Sequence, residues 1–172
     1  MRFLLLYSIL VLFSTNVTSC SAQSQPKNDK EFSAIALAAD EANASLKAYK
    51  ENSLGNKLIS TVSGLKYVVH QTGSGSIAKP GQYVLLDYYG MLMDGMRFDD
   101  SYKNGYPFGF PIGQGQVIPG FDEALTLLPV GSRFTVFIPA HLAYGENGAP
   151  PVIPANADLV FHINFIKIES QD

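Results

Sequence analysis

The polar residues of this chain that could take part in chemistry sit among aromatic residues and beside turns. They fall in short groups: Asp87-Tyr88-Tyr89-Gly90, Phe98-Asp99, Phe108-Gly109-Phe110 and Val117-Ile118-Pro119-Gly120-Phe121. Ala143-Tyr144-Gly145, Val152-Ile153-Pro154 and Leu159-Val160-Phe161 follow. An aromatic-lined cavity with few polar groups suits an apolar ligand. Hydrolysis, phosphoryl transfer and metal chemistry ask for paired carboxylates, a nucleophile beside its base, or clustered ligands. His70, His141 and His162 are far apart and none has a second His or a Cys at ligand spacing. No metal site is therefore expected, and each histidine reads as exposed or locally hydrogen-bonded. Gly113-Gln114-Gly115 lacks the third glycine and the βαβ setting of a dinucleotide fingerprint. Thr72 to Ser76 is glycine-rich, but no helix follows it to cradle a phosphate. The expected chemistry takes something out of water, without a cofactor.

The elements that must position these groups are mostly strands. Leu58 to Val62, Leu65 to Gln71, Gln82 to Leu92, Met96 to Asp99, Pro107 to Pro111, Arg133 to Ile138 and Asp158 to Ile168 all read as strands. Met93-Asp94-Gly95-Met96 carries a hairpin signal. In the last strand Leu159, Phe161, Ile163 and Phe165 alternate with Val160, His162 and Asn164, which predicts one buried face. The compact helix of this half is Pro119 to Leu128, with proline near its start and Phe121, Leu125 and Leu128 on one side. The expected fold is α+β: an antiparallel half-barrel sheet wrapped around one short helix, preceded by an N-terminal helix. Asn28-Asp29-Lys30-Glu31 resembles a capping box that opens that first helix, and Leu54-Gly55 is expected to end it. Its apolar side is Phe32, Ile35, Ala39, Ala42, Leu46 and Tyr49. That stripe could pack on its own domain, or could pair two copies through residues 31–52.

The N-terminus supplies an address. Met1-Arg2 is followed by an apolar run from Phe3 to Phe13, long enough for a signal-peptide core and too short to span a bilayer. Val17-Thr18-Ser19-Cys20 then resembles the bacterial lipobox, with Cys20, the single cysteine of the chain, as the lipidated residue. The chain divides into a lipoprotein signal peptide (1–19), a polar tether (20–30), the N-terminal helix (31–54) and the main domain (58–170). Without Arg2, 11 basic residues face 15 acidic ones, which argues against nucleic acid and against adhesion through a polybasic surface. Membrane attachment is then expected through the lipid alone. Ser21, not Asp, follows Cys20, which favours the outer membrane, facing the periplasm, within the cell envelope.

From about Leu65 onward the chain resembles an FKBP-type peptidyl-prolyl cis–trans isomerase. The resemblance is carried, in family order, by Tyr88-Tyr89-Gly90-Met91-Leu92, Gly95 to Asp99, Pro107-Phe108, Val117-Ile118-Pro119-Gly120, Gly131, Ala143-Tyr144-Gly145, Ile153-Pro154 and Leu159-Val160-Phe161. It implies a half-open antiparallel sheet curled around a short helix. It implies catalytic roles for Asp99, Tyr144, Tyr88 and Phe98, and substrate contacts from Phe108, Val117, Ile118, Phe121, Ile153 and Phe161. It implies proline-containing polypeptides as clients and macrolide-type inhibitors as ligands. Three positions depart from the family's habit. Phe121 stands where the pocket floor is often Trp, Gln116 where an acidic residue is frequent, and Ala149 where some members carry His. The implied activity is folding assistance in the bacterial envelope. A second reading keeps the pocket as a peptide-binding module, a chaperone or an accessory lipoprotein of one secretion or gliding machine, with catalysis incidental.

Overall fold

The computed structural model describes residues 25–169. The signal peptide, Cys20 and the first part of the tether lie outside the described residues. Helix α1 spans Gln25–Lys50. The strands are β1 (Ile59–Ser60), β2 (Lys66–Gln71), β3 (Tyr83–Leu92), β4 (Arg97–Asp100), β5 (Phe108–Pro111), β6 (Arg133–Ile138) and β7 (Leu159–Glu169), with helix α2 (Pro119–Ala124) between β5 and β6. They form one antiparallel sheet in the order β1-β2-β6-β7-β3-β4, and β5 pairs with the first half of β3. This is the α+β architecture the motifs imply. The β3–β4 turn works as Asp94-Gly95 predicts: Gly95 has φ +96°, and the Asp94 carboxylate accepts from the Met96 amide at 2.8 Å.

Both faces of the sheet are covered. On the concave face Leu86, Phe110, Phe134, Ile163 and Phe165 pack with Phe121 and Leu125 around α2. On the convex face Val68, Tyr89, Met91, Phe137 and Val160 pack against Ala38, Ala42 and Leu46 of α1. β7 is therefore buried on both sides from Leu159 to Ile163, where its alternation had predicted one buried face. The reason is tertiary: α1 supplies the second cover, and its docking site is invisible in β7 itself. Burying Leu46 alone contributes about 1.5–3 kcal/mol, and Tyr49 stacks on Phe137 with centroids 4.2 Å apart. The stripe of α1 is thus spent on its own sheet. Its first expected member, Phe32, is the exception and is 75% exposed.

Three helix boundaries differ from expectation. α1 begins at Gln25, inside the expected tether, and ends at Lys50, before Leu54-Gly55. The terminator is Asn52 at φ +53°. Its amide donates to the Tyr49 carbonyl at 3.1 Å and the Ser53 amide donates to the Ala48 carbonyl at 2.9 Å, the two bonds of a Schellman motif with Asn in place of Gly. α2 stops at Ala124, four residues early. Thr126 turns its hydroxyl onto the Glu123 carbonyl at 2.8 Å, and Pro129 disfavours helical backbone at Leu128. Leu125 still reaches the core, fully buried.

Candidate active site

The concave face opens at one end of the sheet into a cavity of about 260 Å³. Tyr88 of β3, Phe98 and Asp99 of β4, Phe108 of β5, and Phe161 of β7 line it. Gln116, Val117 and Ile118 from the segment before α2, Phe121 from its first turn, and Tyr144 complete the wall. Pairing explains why strand residues so distant in sequence meet. Gly90 is the cross-strand partner of both Asp99 and Phe161, and it faces the cavity without a side chain. A Cβ there would lie 2.8 Å from Phe161 Cε1 and 3.0 Å from Phe98 Cζ. The glycine therefore makes room for two rings.

Those rings meet edge to face. Phe98 stands on Phe161 at 5.4 Å and 88°, Phe161 on Phe121 at 5.0 Å and 74°, and Tyr88 on both Phe108 (5.6 Å, 77°) and Phe121 (5.7 Å, 81°). Phe121 is 3% exposed and forms the floor. Such a box offers ring faces and edges to a small apolar group.

Several polar groups border it. Tyr88 Oη donates to Asp99 Oδ2 at 2.5 Å, and Lys103 Nζ pairs with Asp99 Oδ1. Burial works against the Asp99 charge, but the hydrogen bonds from Lys103 and Tyr88 outweigh it and hold the carboxyl below its ordinary range. Burial, then the Asp99 carboxylate, push the Tyr88 phenol well above its ordinary value. At neutral pH the pair is a fixed carboxylate and a fixed O–H donor. The β4 end is held by Ser101, whose hydroxyl accepts from the Tyr88 amide and donates to Asp87, both at 3.1 Å. A further donor is the Ile118 amide. Among the described residues it donates to no protein acceptor, while the Ile118 carbonyl accepts from Phe121 and Asp122 at 2.9 and 3.2 Å. Tyr144, 42% exposed, brings a phenol to the mouth.

Of the ten catalytic and substrate-contact residues that the resemblance implies, all but one line the cavity. Ile153 instead lies in the core behind the wall, 5% exposed, paired with Ala149 by an isolated bridge. Two lining or bordering groups carried no expected role. Gln116 lines the cavity at the departing position. Lys103 was missed; its signal was the i,i+4 spacing from Asp99, realised because Tyr102–Asn104 forms a tight turn. The lining holds one carboxylate and neither imidazole nor thiol, a donor set unsuited to a metal. His70 and His162, left apart by the sequence reading, meet on the opposite face of the sheet with rings 5.4 Å apart.

Comparison with known proteins agrees with this geometry. The pattern of the FKBP-type peptidyl-prolyl cis-trans isomerase family matches residues 75–166. The FKBP-type peptidyl-prolyl cis-trans isomerase FkpA of Aeromonas hydrophila is 49% identical over 110 residues, 64% of this chain and 40% of that protein. FK506-binding protein 1 of Debaryomyces hansenii is 44% identical over 99 residues, 57% of this chain and 88% of that one. The crystal structure of FkpA from Escherichia coli superposes with a TM-score of 0.64 at 34% identity, covering 83% of this chain and 64% of that one. The chain thus spans less than two thirds of either FkpA. The shared region contains every lining residue of the cavity, and on that ground the chain belongs to the family of FKBP-type peptidyl-prolyl cis-trans isomerases.

Proposed function

We propose that this cavity catalyses cis–trans isomerisation of Xaa–Pro bonds in polypeptides, and that the protein assists folding in the bacterial cell envelope. The observation that carries the reading is the closed ring box beside one fixed carboxylate and an unpaired backbone amide. The barrier to rotation is about 18–20 kcal/mol because the planar amide is resonance-stabilised. In the twisted transition state that resonance is lost, and with it the charge separation that water favours. A dry aromatic pocket removes water's preference for the planar form. Phe108, Val117, Phe121 and Phe161 hold the proline ring, and Phe98 narrows the entrance. The Ile118 amide and the Tyr144 hydroxyl fix substrate carbonyls, while Asp99, oriented by Tyr88, faces the rotating one. Ile153 acts from behind, by supporting the loop that carries Tyr144. A thousandfold acceleration asks for about 4 kcal/mol of transition-state preference, with no covalent step and no cofactor.

The N-terminal sequence supports a site of action at a membrane. Lipidation at Cys20 would anchor the domain through acyl chains, each buried CH₂ contributing about 0.8 kcal/mol, and Ser21 favours the outer membrane facing the periplasm. Among the described residues no helix is long and apolar enough to cross a membrane. The catalytic assignment is tested with Asp99→Ala and Tyr144→Phe. Both should lower kcat/KM for a proline-containing peptide while circular dichroism stays native. Wild-type rates in both folded variants would contradict the assignment.

A further inference from the structure

The convex face holds a second polar assembly, unconnected to the cavity. Glu41 and Ser45 of α1 lie over His70 of β2, Arg133 and Thr135 of β6, and His162 of β7. Thr135 and His162 are fully buried and Ser45 nearly so. The partners settle which atom donates. Glu41 only accepts, so His162 Nε2–H donates to Glu41 Oε2 at 3.4 Å. His162 Nδ1 then carries the lone pair and accepts from the Thr135 hydroxyl, also at 3.4 Å. With its own hydrogen spent, Thr135 Oγ1 accepts from His70 Nε2–H at 2.8 Å. Ser45 donates to the Glu41 carbonyl at 2.8 Å and takes a longer share, 3.4 Å, of the same His70 N–H. Arg133 closes the chain at its other end with two bonds to the Glu41 carboxylate, 3.1 and 3.3 Å. From His70 through Thr135 and His162 the donors run one way to Glu41, where those of Arg133 meet them, and the network is complete with both imidazoles neutral. A bulge in β2 between Val69 and Gln71 places His70 where it can join.

We propose that this network is an acid-sensitive latch that docks α1 on the sheet and releases it when a buried imidazole takes up a proton. A second proton on His162 sits on Nδ1, the atom that Thr135 donates to, so that bond is lost; Thr135 Oγ1 must either face a second donor or rotate to accept from both imidazoles, which leaves its own hydrogen without His162 as acceptor. The charge is shared by both ring nitrogens and Glu41 attracts it, but both oxygens of that carboxylate are already engaged by Arg133 and the ring is cut off from water. The same engagement argues against a divalent cation, although the donor atoms of Glu41, His70 and His162 lie within 4.8 Å of one another. Other charged or titratable groups on this face are Asp87 and Tyr89 of β3, Arg97 and Asp100 of β4, Tyr102 beyond it, and Tyr49 of α1 with Lys66 of β2. Undocking α1 would return His162 to water and uncover Val68, Tyr89, Met91, Phe137 and Val160.

The sign follows from burial. Desolvation lowers the His162 pKa from 6.5 to about 4 and lowers that of His70 as well, each outweighing the attraction of Glu41. Docking is therefore at full strength above about pH 6.5 and weakens as pH falls toward 4. Asp87, whose carboxyl burial raises, acts in the opposite sense over the lower part of that range. His162 alone weakens docking about 20-fold between pH 7 and pH 5.

Amide hydrogen exchange of the full chain at pH 7 and pH 5, corrected for intrinsic rates, tests this directly. Amides of α1 should lose protection by about 20-fold while those of α2 and the β3–β7 pairing keep theirs. His162→Gln should flatten the dependence. Ring ¹⁵N spectra of the wild type should show His162 neutral at pH 6 with its proton on Nε2, whether or not that variant folds. Unchanged protection of α1, or loss only in step with β6 and β7, overturns the latch. So does a shift of both ring signals on adding one equivalent of Zn²⁺ at pH 7, which would make the cluster a metal site.

Discussion

Gly90→Ala isolates one requirement of the cavity, that β3 leave space beneath two rings. Gly90 has no left-handed φ, so alanine meets no backbone penalty there and the effect is spatial. The added Cβ would lie 2.8 and 3.1 Å from Phe161 Cε1 and Cδ1, and 3.0 Å from Phe98 Cζ. Comfortable carbon contacts need about 3.5–4.0 Å, so one or both rings must move by about 0.5–1 Å. Phe161 cannot retreat, because Phe121 and Tyr88 stand 5.0 and 6.0 Å behind it. Overpacking of this kind costs about 1–3 kcal/mol, which lowers Tm by roughly 4–12 °C for a domain of this size. Rings pushed toward the cavity narrow it, and kcat/KM for a proline-containing peptide should fall at least about tenfold, or about 1.4 kcal/mol. Thermal unfolding and peptide isomerisation would be measured on Gly90→Ala and on Gly90→Ala with Phe98→Leu. The smaller side chain should relieve part of the strain, giving a non-additive recovery of Tm. Wild-type Tm together with wild-type rate in Gly90→Ala would refute the packing argument for the whole ring box.

Three further outcomes are expected. Macrolide ligands of the family should bind the wild type, more weakly than Trp-floored relatives, and Phe121→Trp should tighten them provided the larger ring costs no more than about 1–3 kcal/mol of stability; titration with such a ligand checks it, and absence of binding by either form counts against the pocket assignment. Because Lys103 and Tyr88 hold the Asp99 carboxyl below its ordinary 3.8, the stability it contributes is present above that value and lost as pH falls through the folded one. Turnover at pH 5 should therefore match turnover at pH 7, and a loss between those values in folded protein would show that another group controls the rate. Mass spectrometry of the native N-terminus should find acylated Cys20, and a chain starting at Gln25 should be soluble and retain activity; an unmodified terminus elsewhere would exclude the anchor.

The sequence makes the pocket legible because its signals are local. Asp94-Gly95, Phe98-Asp99 and Pro119 each imply a turn or a helix start within a few residues, and the structure puts them there. What escaped depends on long-range pairing. Thr135 stands beside His162 through the β6–β7 register, and His70 joins through a bulge in β2, so nothing in the spacing of the histidines announces their meeting. The second buried face of β7 was hidden for the same reason, since its cover comes from α1. Ile153 shows the opposite limit. Its motif implied a substrate contact, but whether a residue lines a wall or supports it is settled by packing a few ångströms deep.

The most direct test of the account is catalysis by the wild-type chain. Exchange spectroscopy on an Xaa–Pro peptide reports binding and isomerisation in one experiment, through chemical shifts and through the cis–trans exchange rate. The account predicts shifts at Tyr88, Asp99 and Tyr144 together with exchange far faster than in buffer, both abolished by a ligand that fills the cavity. Peptide bound at that cavity while its proline bond isomerises at the rate seen in buffer would contradict catalysis and leave the pocket a binding module.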